Sequence, residues 1–254
     1  MEITEAQFAQ IEECLPVQRG NVSLSNLRVL NAIPNVAEHG CKWRGLPKRF
    51  GNWHTIYTRM NRWSKSGVLD RVFERLQQAQ IVRIKIEAVS LDSTMVKVHP
   101  DGPGALKKNG PQVIGKSRGG WSTKIHLVAA DARTAITFAL SPGQAGDGPE
   151  GRALLNRLGP PNRPLHLLMD RAYEGNQTRQ LALDLGFIPV VPPLCTRVSL
   201  WEYDREMYKR RNEVERLFRR LTGFRRIFSR FDKLDRMFVG FISFAPIADG
   251  LRLW

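Results

Sequence analysis

The sequence predicts an α/β protein: a mixed sheet flanked by helices and preceded by a small all-helical domain. Three observations lead there. Residues 1–80 repeat apolar side chains at the three-to-four spacing of amphipathic helices. From residue 81 onward, short runs rich in Ile, Val and Leu alternate with helical stretches, the pattern of parallel strands joined by crossover helices. Within that region, Thr123 to Ala130 and Ala135 to Leu140 flank the turn Asp131-Ala132-Arg133-Thr134, which reads as an antiparallel hairpin at one edge. The domain boundary is expected at 80/81, with the sheet domain running over 81–254.

In the helical part, Leu24 to His39 carries Leu27, Val29, Leu30, Ile33 and Val36, and Pro34 is expected to kink or split it. Gly40 to Asn52 is a loop punctuated by Gly45, Pro47 and Gly51. A second helix begins near Trp53 and sets Trp53, Ile56, Met60 and Trp63 on one stripe, with Arg59, Arg62 and Lys65 outside. After Ser66-Gly67 a third helix, Val68 to Gln80, buries Val68, Val72, Phe73 and Leu76. Three short helices with a basic outer face are consistent with a helix-turn-helix-like DNA-binding module. A small bundle with a basic surface fits the same residues, and the loop before Trp53 is longer than the usual turn of about 3–4 residues.

In the sheet domain, Ile81 to Leu91 alternates as a strand and stops at Asp92-Ser93-Thr94. Lys107 to Lys124 is glycine-rich and without acids, and reads as a mobile basic loop whose Lys107, Lys108, Lys116, Arg118 and Lys124 contact a phosphate backbone. After the hairpin, Glu150 to Leu158 is a helix and Leu165 to Met169 a buried strand ending at Asp170-Arg171-Ala172-Tyr173. Asn176 to Leu185 is helical and closes on Gly186, and Phe187 to Val191 is the last buried strand.

Met207 to Leu221 then reads as one amphipathic helix. Met207, Val214, Phe218 and Leu221 share the apolar face, Tyr208, Arg211 and Glu215 form a stripe on one flank, and Glu213 lies on the other. Beyond it, Arg216, Arg219, Arg220, Arg225, Arg226 and Arg230 interleave with Phe224, Ile227, Phe228 and Phe231, which either anchor the segment or stack on unpaired bases. Trp121 and Trp201 are further stacking candidates. Met237 to Trp254 is an apolar helical tail expected to pack on the sheet, with a kink at Pro246.

A formal net charge of +15 over 254 residues calls for a polyanionic partner. The start Met1-Glu2-Ile3-Thr4-Glu5 is acidic and polar and no long apolar run exists, so neither a signal peptide nor a membrane span is expected. Cys14, Cys41 and Cys195 are scattered with no C-x-x-C pair, and the five histidines lack metal spacing, so neither a disulfide framework nor a zinc site is indicated, which fits a reducing cytoplasm. What remains is carboxylate chemistry. Asp92 and Asp170 both end strand-like runs, where ligands of such sheets collect, and Glu215 is carried in from the long helix. An all-oxygen group selects Mg²⁺ or Mn²⁺, and two such ions about 3.5–4 Å apart serve phosphodiester chemistry. Glu87, Asp131, Asp147 and Glu174 are the other acids within reach, and each strand-end aspartate has the alternative of a turn or capping role.

Several stretches in this order resemble bacterial insertion-sequence transposases of the IS5 type, within the IS4/IS5 group of DDE transposases. They are Gly40-Cys41-Lys42-Trp43-Arg44-Gly45-Leu46-Pro47 with Trp63-Ser64-Lys65, Leu91-Asp92-Ser93-Thr94, and Gly115-Lys116-Ser117-Arg118-Gly119-Gly120 with Thr123-Lys124-Ile125-His126. Asp170-Arg171-Ala172-Tyr173 and Tyr208-x-x-Arg211-x-x-x-Glu215-Arg216 complete the set. The resemblance implies an RNase H-like catalytic domain over 81–254 after a helical DNA-binding domain over 1–80. It implies Asp92, Asp170 and Glu215 as metal-binding acids, with Tyr208 and Arg211 on transposon-end phosphates. It also implies double-stranded DNA as partner (terminal inverted repeats and target), a homodimer on paired ends, and a place at the bacterial nucleoid. The family pattern has a lysine seven residues after the glutamate; here that position is Thr222, with Arg219 or Arg220 the nearest substitute. The reaction expected is metal-dependent cleavage and strand transfer. A catalytically silent DNA-binding derivative and a simple metal-dependent nuclease are the alternatives.

Overall fold

Four helices open the chain in the computed structural model, which describes residues 2–20, 22–81 and 86–250. They are α1 (Glu5–Ala9), α2 (Asn26–His39), α3 (Trp53–Lys65) and α4 (Val68–Ile81). Strands β1 (Ala88–Val98), β2 (Gly115–Ser117), β3 (Gly120–Ala129) and β4 (Ala135–Pro142) follow, then α5 (Asp147–Leu158), β5 (Leu165–Met169), α6 (Asn176–Asp184) and β6 (Phe187–Val190). The chain continues with α7 (Arg205–Lys209), α8 (Asn212–Thr222), α9 (Arg225–Phe228) and α10 (Asp235–Gly250). These elements sort into two compact units. One gathers Met1–Arg83, Val98–Gln112 and Leu221–Trp254; the other is made of Ile84–Lys97 and Val113–Arg220.

The first unit is helical. Ser25 caps α2 by accepting from the Arg28 amide, and Gly40 ends it in the left-handed conformation. Of the kink or split expected at Pro34, the split does not occur: one helix runs through it. The ring is buried on the core side with Ile33 and Val36, and that packing outweighs the one backbone bond its missing N–H removes. In α3 the expected stripe is buried at Ile56, Met60 and Trp63, with Asn52 capping the helix. The apolar tail, expected on the sheet, is described as far as Gly250 as α10, and it packs on α2, α3 and α4 within the helical unit. Gly240 permits that approach, because a methyl group there would stand 2.9 Å from Met60 Cε. The strand expected from Ile81 lies partly outside the described residues; Ile81 itself closes α4, and the observed strand begins at Ala88.

The second unit is a mixed sheet. Its strands run β4-β3-β1-β5-β6, with the short β2 paired to the start of β3. Pairing is antiparallel from β4 through β3 to β1 and parallel from β1 through β5 to β6. An antiparallel edge, a central first strand and parallel strands beyond it form the RNase H-like arrangement. Asp131 holds the hairpin turn by accepting from the amides of Arg133 and Thr134. The segment expected to be a loose basic loop instead contributes structure. Gly115–Ser117 and Gly120–Trp121 close a second hairpin, with Gly120 at φ +99°, and Lys124 lies inside β3.

Alternation sorts the two faces. Val89 and Leu91 of β1, with Leu167 and Met169 of β5, pack under α5 and α6 against Leu154, Leu155, Tyr173 and Ala182. Ala88, Leu168 and Val190 face the other way and are covered by Tyr203, Met207 and Tyr208. Gly151 lets α5 press onto the first face: a Cβ there would meet the Tyr173 ring at 2.5 and 2.7 Å and Leu91 Cδ2 at 3.2 Å. In an exposed helix, Gly→Ala stabilises by roughly 1 kcal/mol. Here overpacking reverses the sign, and Gly151→Ala is expected to cost about 1–3 kcal/mol. Thermal denaturation should show a Tm lowered by about 3–10 °C; an unchanged or higher Tm would contradict this contact between α5 and β1.

Candidate active site

The site begins with a register. Parallel pairing of β1 with β5 runs from Ala88 opposite His166 to Leu91 opposite Met169. The next residue on each strand is an aspartate, so Asp92 and Asp170 stand side by side. Since Leu91 and Met169 point under α5, alternation turns both aspartates to the opposite face, toward the helical stretch that carries Tyr208. Asp170 keeps extended backbone (φ −78°, ψ 176°) and caps a short 3₁₀ turn, its Oδ1 accepting from the Ala172 amide at 2.8 Å. Asp92 does not end its strand as expected. β1 continues to Val98 alongside β3, so it is the parallel ladder with β5 that ends there.

The long helix expected over Met207–Leu221 is two helices. Between α7 and α8 the backbone tightens: Arg210 bonds back to Met207, Arg211 to Tyr208 and Val214 to Arg211, each three residues away. Val214, Phe218 and Leu221 are buried as their spacing predicts. The tight turn sets Arg211 over the sheet face. Its Nη1 donates to Asp92 Oδ2 at 2.8 Å and its Nη2 to Glu215 Oε1 at 2.5 Å. Its guanidinium carbon is 5.9 Å from the centre of the Tyr208 ring, which in turn meets Tyr203 edge to face. The stripe Tyr208, Arg211, Glu215 is thus assembled around Asp92.

Electrostatics follow from that crowding. Asp92 is pushed up to about 6, chiefly by burial and further by Asp170 and Glu215. The Ser93 amide, donating to Oδ1 at 2.7 Å, and Arg211 pull the other way without cancelling the shift. Burial alone would lower Arg211, but Asp92, Tyr208 and Glu215 more than offset it, so the guanidinium is held above its ordinary value. Three carboxylates without a histidine or cysteine are the donor chemistry of a hard divalent ion. As the side chains stand, no three acids, histidines or cysteines among the described residues come close enough to hold one. A guanidinium lies between two of them.

The remaining acids have other partners. Glu213 and Glu87 both pair with Arg210, at 3.8 and 3.2 Å. Glu174 is buried against Arg197 at 2.5 Å. Asp147, at the start of α5, accepts from Ser93 Oγ at 2.7 Å and from Lys124 Nζ at 3.0 Å. Ser93 alternates to the face opposite Asp92, so this polar group sits behind the aspartates. Sequence spacing did not link its members; the only signal was that Ser93 follows Asp92 and must point the other way. Lys124, read as a phosphate contact, has its ammonium occupied by Asp147 and the Ala145 carbonyl.

Of the other basic candidates, Lys116 and Arg118 are exposed on the β2–β3 hairpin, and Arg219 is exposed on α8. In the helical unit, Arg62 is exposed, whereas Arg59 donates to the Leu24 carbonyl at 2.8 Å and its pKa is lowered, mainly by burial. Trp121 is 45% exposed. Trp201 is not a bare platform: Arg179 and Arg197 lie against its ring at 4.7 and 4.6 Å, and its Nε1 donates to the Val191 carbonyl. Phe224 and Ile227 are buried anchors, while Phe228 is exposed and Phe231 stacks on His99.

Residues 3–73 match a family described as "Putative transposase of IS4/5 family", and residues 83–243 match "Transposase DDE domain". A Brucella ovis protein named "Putative transposase for insertion sequence element IS6501" is 30% identical over 132 residues, 52% of this chain and 99% of that protein. "Uncharacterized protein y4sN" of Sinorhizobium fredii is 33% identical over 86 residues, 34% of this chain and 66% of that one. Among solved structures, the piggyBac transposase in a synaptic complex with hairpin DNA overlaps at 11% identity and a TM-score of 0.37, over 77% of this chain and 50% of that chain. The Mos1 transposase in a paired-end complex with the left transposon end overlaps at 13% identity and a TM-score of 0.28, over 72% of this chain. The chain spans half the piggyBac chain and 64% of the Mos1 chain. Since the DDE match alone takes in most of the sequence, the chain belongs to the DDE transposases of the IS4/5 family.

Proposed function

We propose that this transposase cleaves double-stranded DNA at the terminal inverted repeats of an insertion sequence and joins the freed strand to a target duplex. Asp92, Asp170 and Glu215 are the acids of that reaction, with Mg²⁺ or Mn²⁺, two ions, as their cofactor. The observation carrying this reading is the assembly around Asp92: a second aspartate one strand away, and an arginine that ties it to a glutamate from α8. When bound, the ions supply polarisation of the attacking and leaving oxygens of a phosphodiester. The chain's own groups do the rest. Tyr208 and Arg211 hold a phosphate next to the acids. Lys116, Arg118 and Arg219, with Arg59 and Arg62 of the helical domain over 1–80, contact the backbone, and the charge of +15 makes such binding steeply salt-dependent. Lys124 serves better as the partner of Asp147, holding β3 to the start of α5. A homodimer on paired DNA ends in the bacterial cytoplasm completes the reading; no helix among the described residues is long and apolar enough to cross a membrane.

Thr222, in place of the family's lysine, favours one second reading, a catalytically silent DNA-binding protein. Incubation of the chain with inverted-repeat DNA, a target plasmid and Mn²⁺ separates the two. Cleaved and joined products are expected, and Asp92→Asn, Asp170→Asn and Glu215→Gln should each lower them by at least about a hundredfold. DNA binding without cleavage would establish the silent protein; cleavage without joining would leave a nuclease.

The raised Asp92 carboxyl adds a pH signature. In the metal-free chain it is increasingly neutral below about pH 6, so an entering divalent ion must displace a proton there and Mn²⁺ binding should weaken as pH falls. Stability responds in the opposite sense. A carboxyl whose folded value lies above its ordinary 3.8 binds its proton more tightly in the folded state, so its charge opposes folding above about pH 6 and ceases to do so below 3.8. Asn removes that charge but keeps an acceptor for only one of the two donors, Arg211 and the Ser93 amide, a cost that does not vary with pH. The stability of Asp92→Asn relative to the native protein is therefore expected to rise by about 1–3 kcal/mol between pH 4 and pH 8. Denaturation curves at stepped pH should show that rise; a difference that stays constant with pH would refute the assignment.

A further inference from the structure

We infer that the guanidinium of Arg211 is the resting occupant of the divalent-cation site, and that an entering ion must displace it. This rests on reading Asp92, Asp170 and Glu215 as cation ligands.

Asp92 is held in a strand, with Oδ1 taken by the Ser93 amide. Its other oxygen, the one turned to Glu215, is taken by Arg211 Nη1. The second nitrogen of the same fork takes Glu215 Oε1. A single cation therefore bridges an acid of the sheet and an acid of the helix, as a shared divalent ion would. Arginine suits this position because its planar fork engages two oxygens at once, and it cannot leave by giving up a proton. Only exchange for another cation, or movement of Glu215, vacates the place. Glu215 is the more open arm of the pair, its side chain 41% exposed against 13% for Asp92.

The exchange has a second consequence. Three carboxylates against one guanidinium leave the group two negative charges in excess, which repels a phosphodiester. Ions that neutralise the acids free Arg211 beside Tyr208, where the same positive charge becomes available to a DNA phosphate. Cation and DNA are then linked: each raises the affinity for the other by one common factor.

The test is Mn²⁺ binding by the full chain without DNA, followed by electron paramagnetic resonance, for the native protein, Arg211→Ala and Arg211→Lys. If the guanidinium competes for the place, Arg211→Ala binds Mn²⁺ about tenfold more tightly than the native protein, since two charge-assisted bonds no longer need breaking. Arg211→Lys, which keeps the charge but lacks the planar fork, falls between. If Arg211 merely braces the acids, Arg211→Ala binds equally or more weakly, and the inference is overturned. Absence of Mn²⁺ binding by both proteins overturns the cation-ligand reading itself, so the two failures are distinct. A measurement on the native chain avoids any folding defect of the variant: phenylglyoxal modification of Arg211, followed by peptide mass, should run several-fold faster with Mg²⁺ present. An unchanged or slower rate refutes displacement.

Discussion

Carboxylates gathered on one face of an apolar sheet repel one another, and the structure around them is arranged to tolerate that repulsion. Asp92 and Asp170 are fixed as neighbours by the register of β1 against β5, which also buries Leu91 and Met169 on the far side. Neither aspartate can be moved without shifting a strand by two residues, because a shift of one would turn every core side chain outward. The acids are thus placed by hydrophobic burial, and their charge is handled afterward. Arg211 handles it, and the tight turn between α7 and α8 is what carries Arg211 over the face.

The two faces of the sheet therefore have different duties. Behind the aspartates, Ser93, Asp147 and Lys124 form a closed polar group with its charges matched. In front, the charges are unmatched and one carboxyl is displaced to about 6. Groups perturbed by burial and like charge together mark places where chemistry outweighs stability. The contrast between adjacent residues, Asp92 and Ser93, follows from strand alternation alone.

Much of this was legible in the sequence, for reasons specific to each element. The hairpin around Asp131, the strand Leu165–Met169 and the helix that ends at Gly186 carry strong local signals: an aspartate turn, a continuous apolar run, a glycine at φ +87°. The stripe of Tyr208, Arg211 and Glu215 was readable because those side chains share a flank whether or not the helix is continuous. What escaped depends on tertiary partners. The break at Arg210-Arg211 has no glycine or proline to announce it. The basic stretch near Lys116 lacks apolar periodicity, yet backbone pairing with β3 orders it. Lys124 looked like one more surface cation until β3 aimed it at Asp147. Pro34 passed through a helix because its neighbours bury it, and the apolar tail, as α10, found its partners in α2, α3 and α4, which no local signal in the tail names.

That last contact has a bearing on how the protein is made. Helices α2, α3 and α4 emerge early in synthesis, but the surface they share with α10 stays uncovered until Asp235–Gly250 has been translated. At about 5–20 residues per second, the interval is on the order of ten to thirty seconds. During it the nascent chain exposes the very residues that later form a core. A ribosome that stalls within that window would leave a sticky stub, open to chaperones, proteases and other nascent copies.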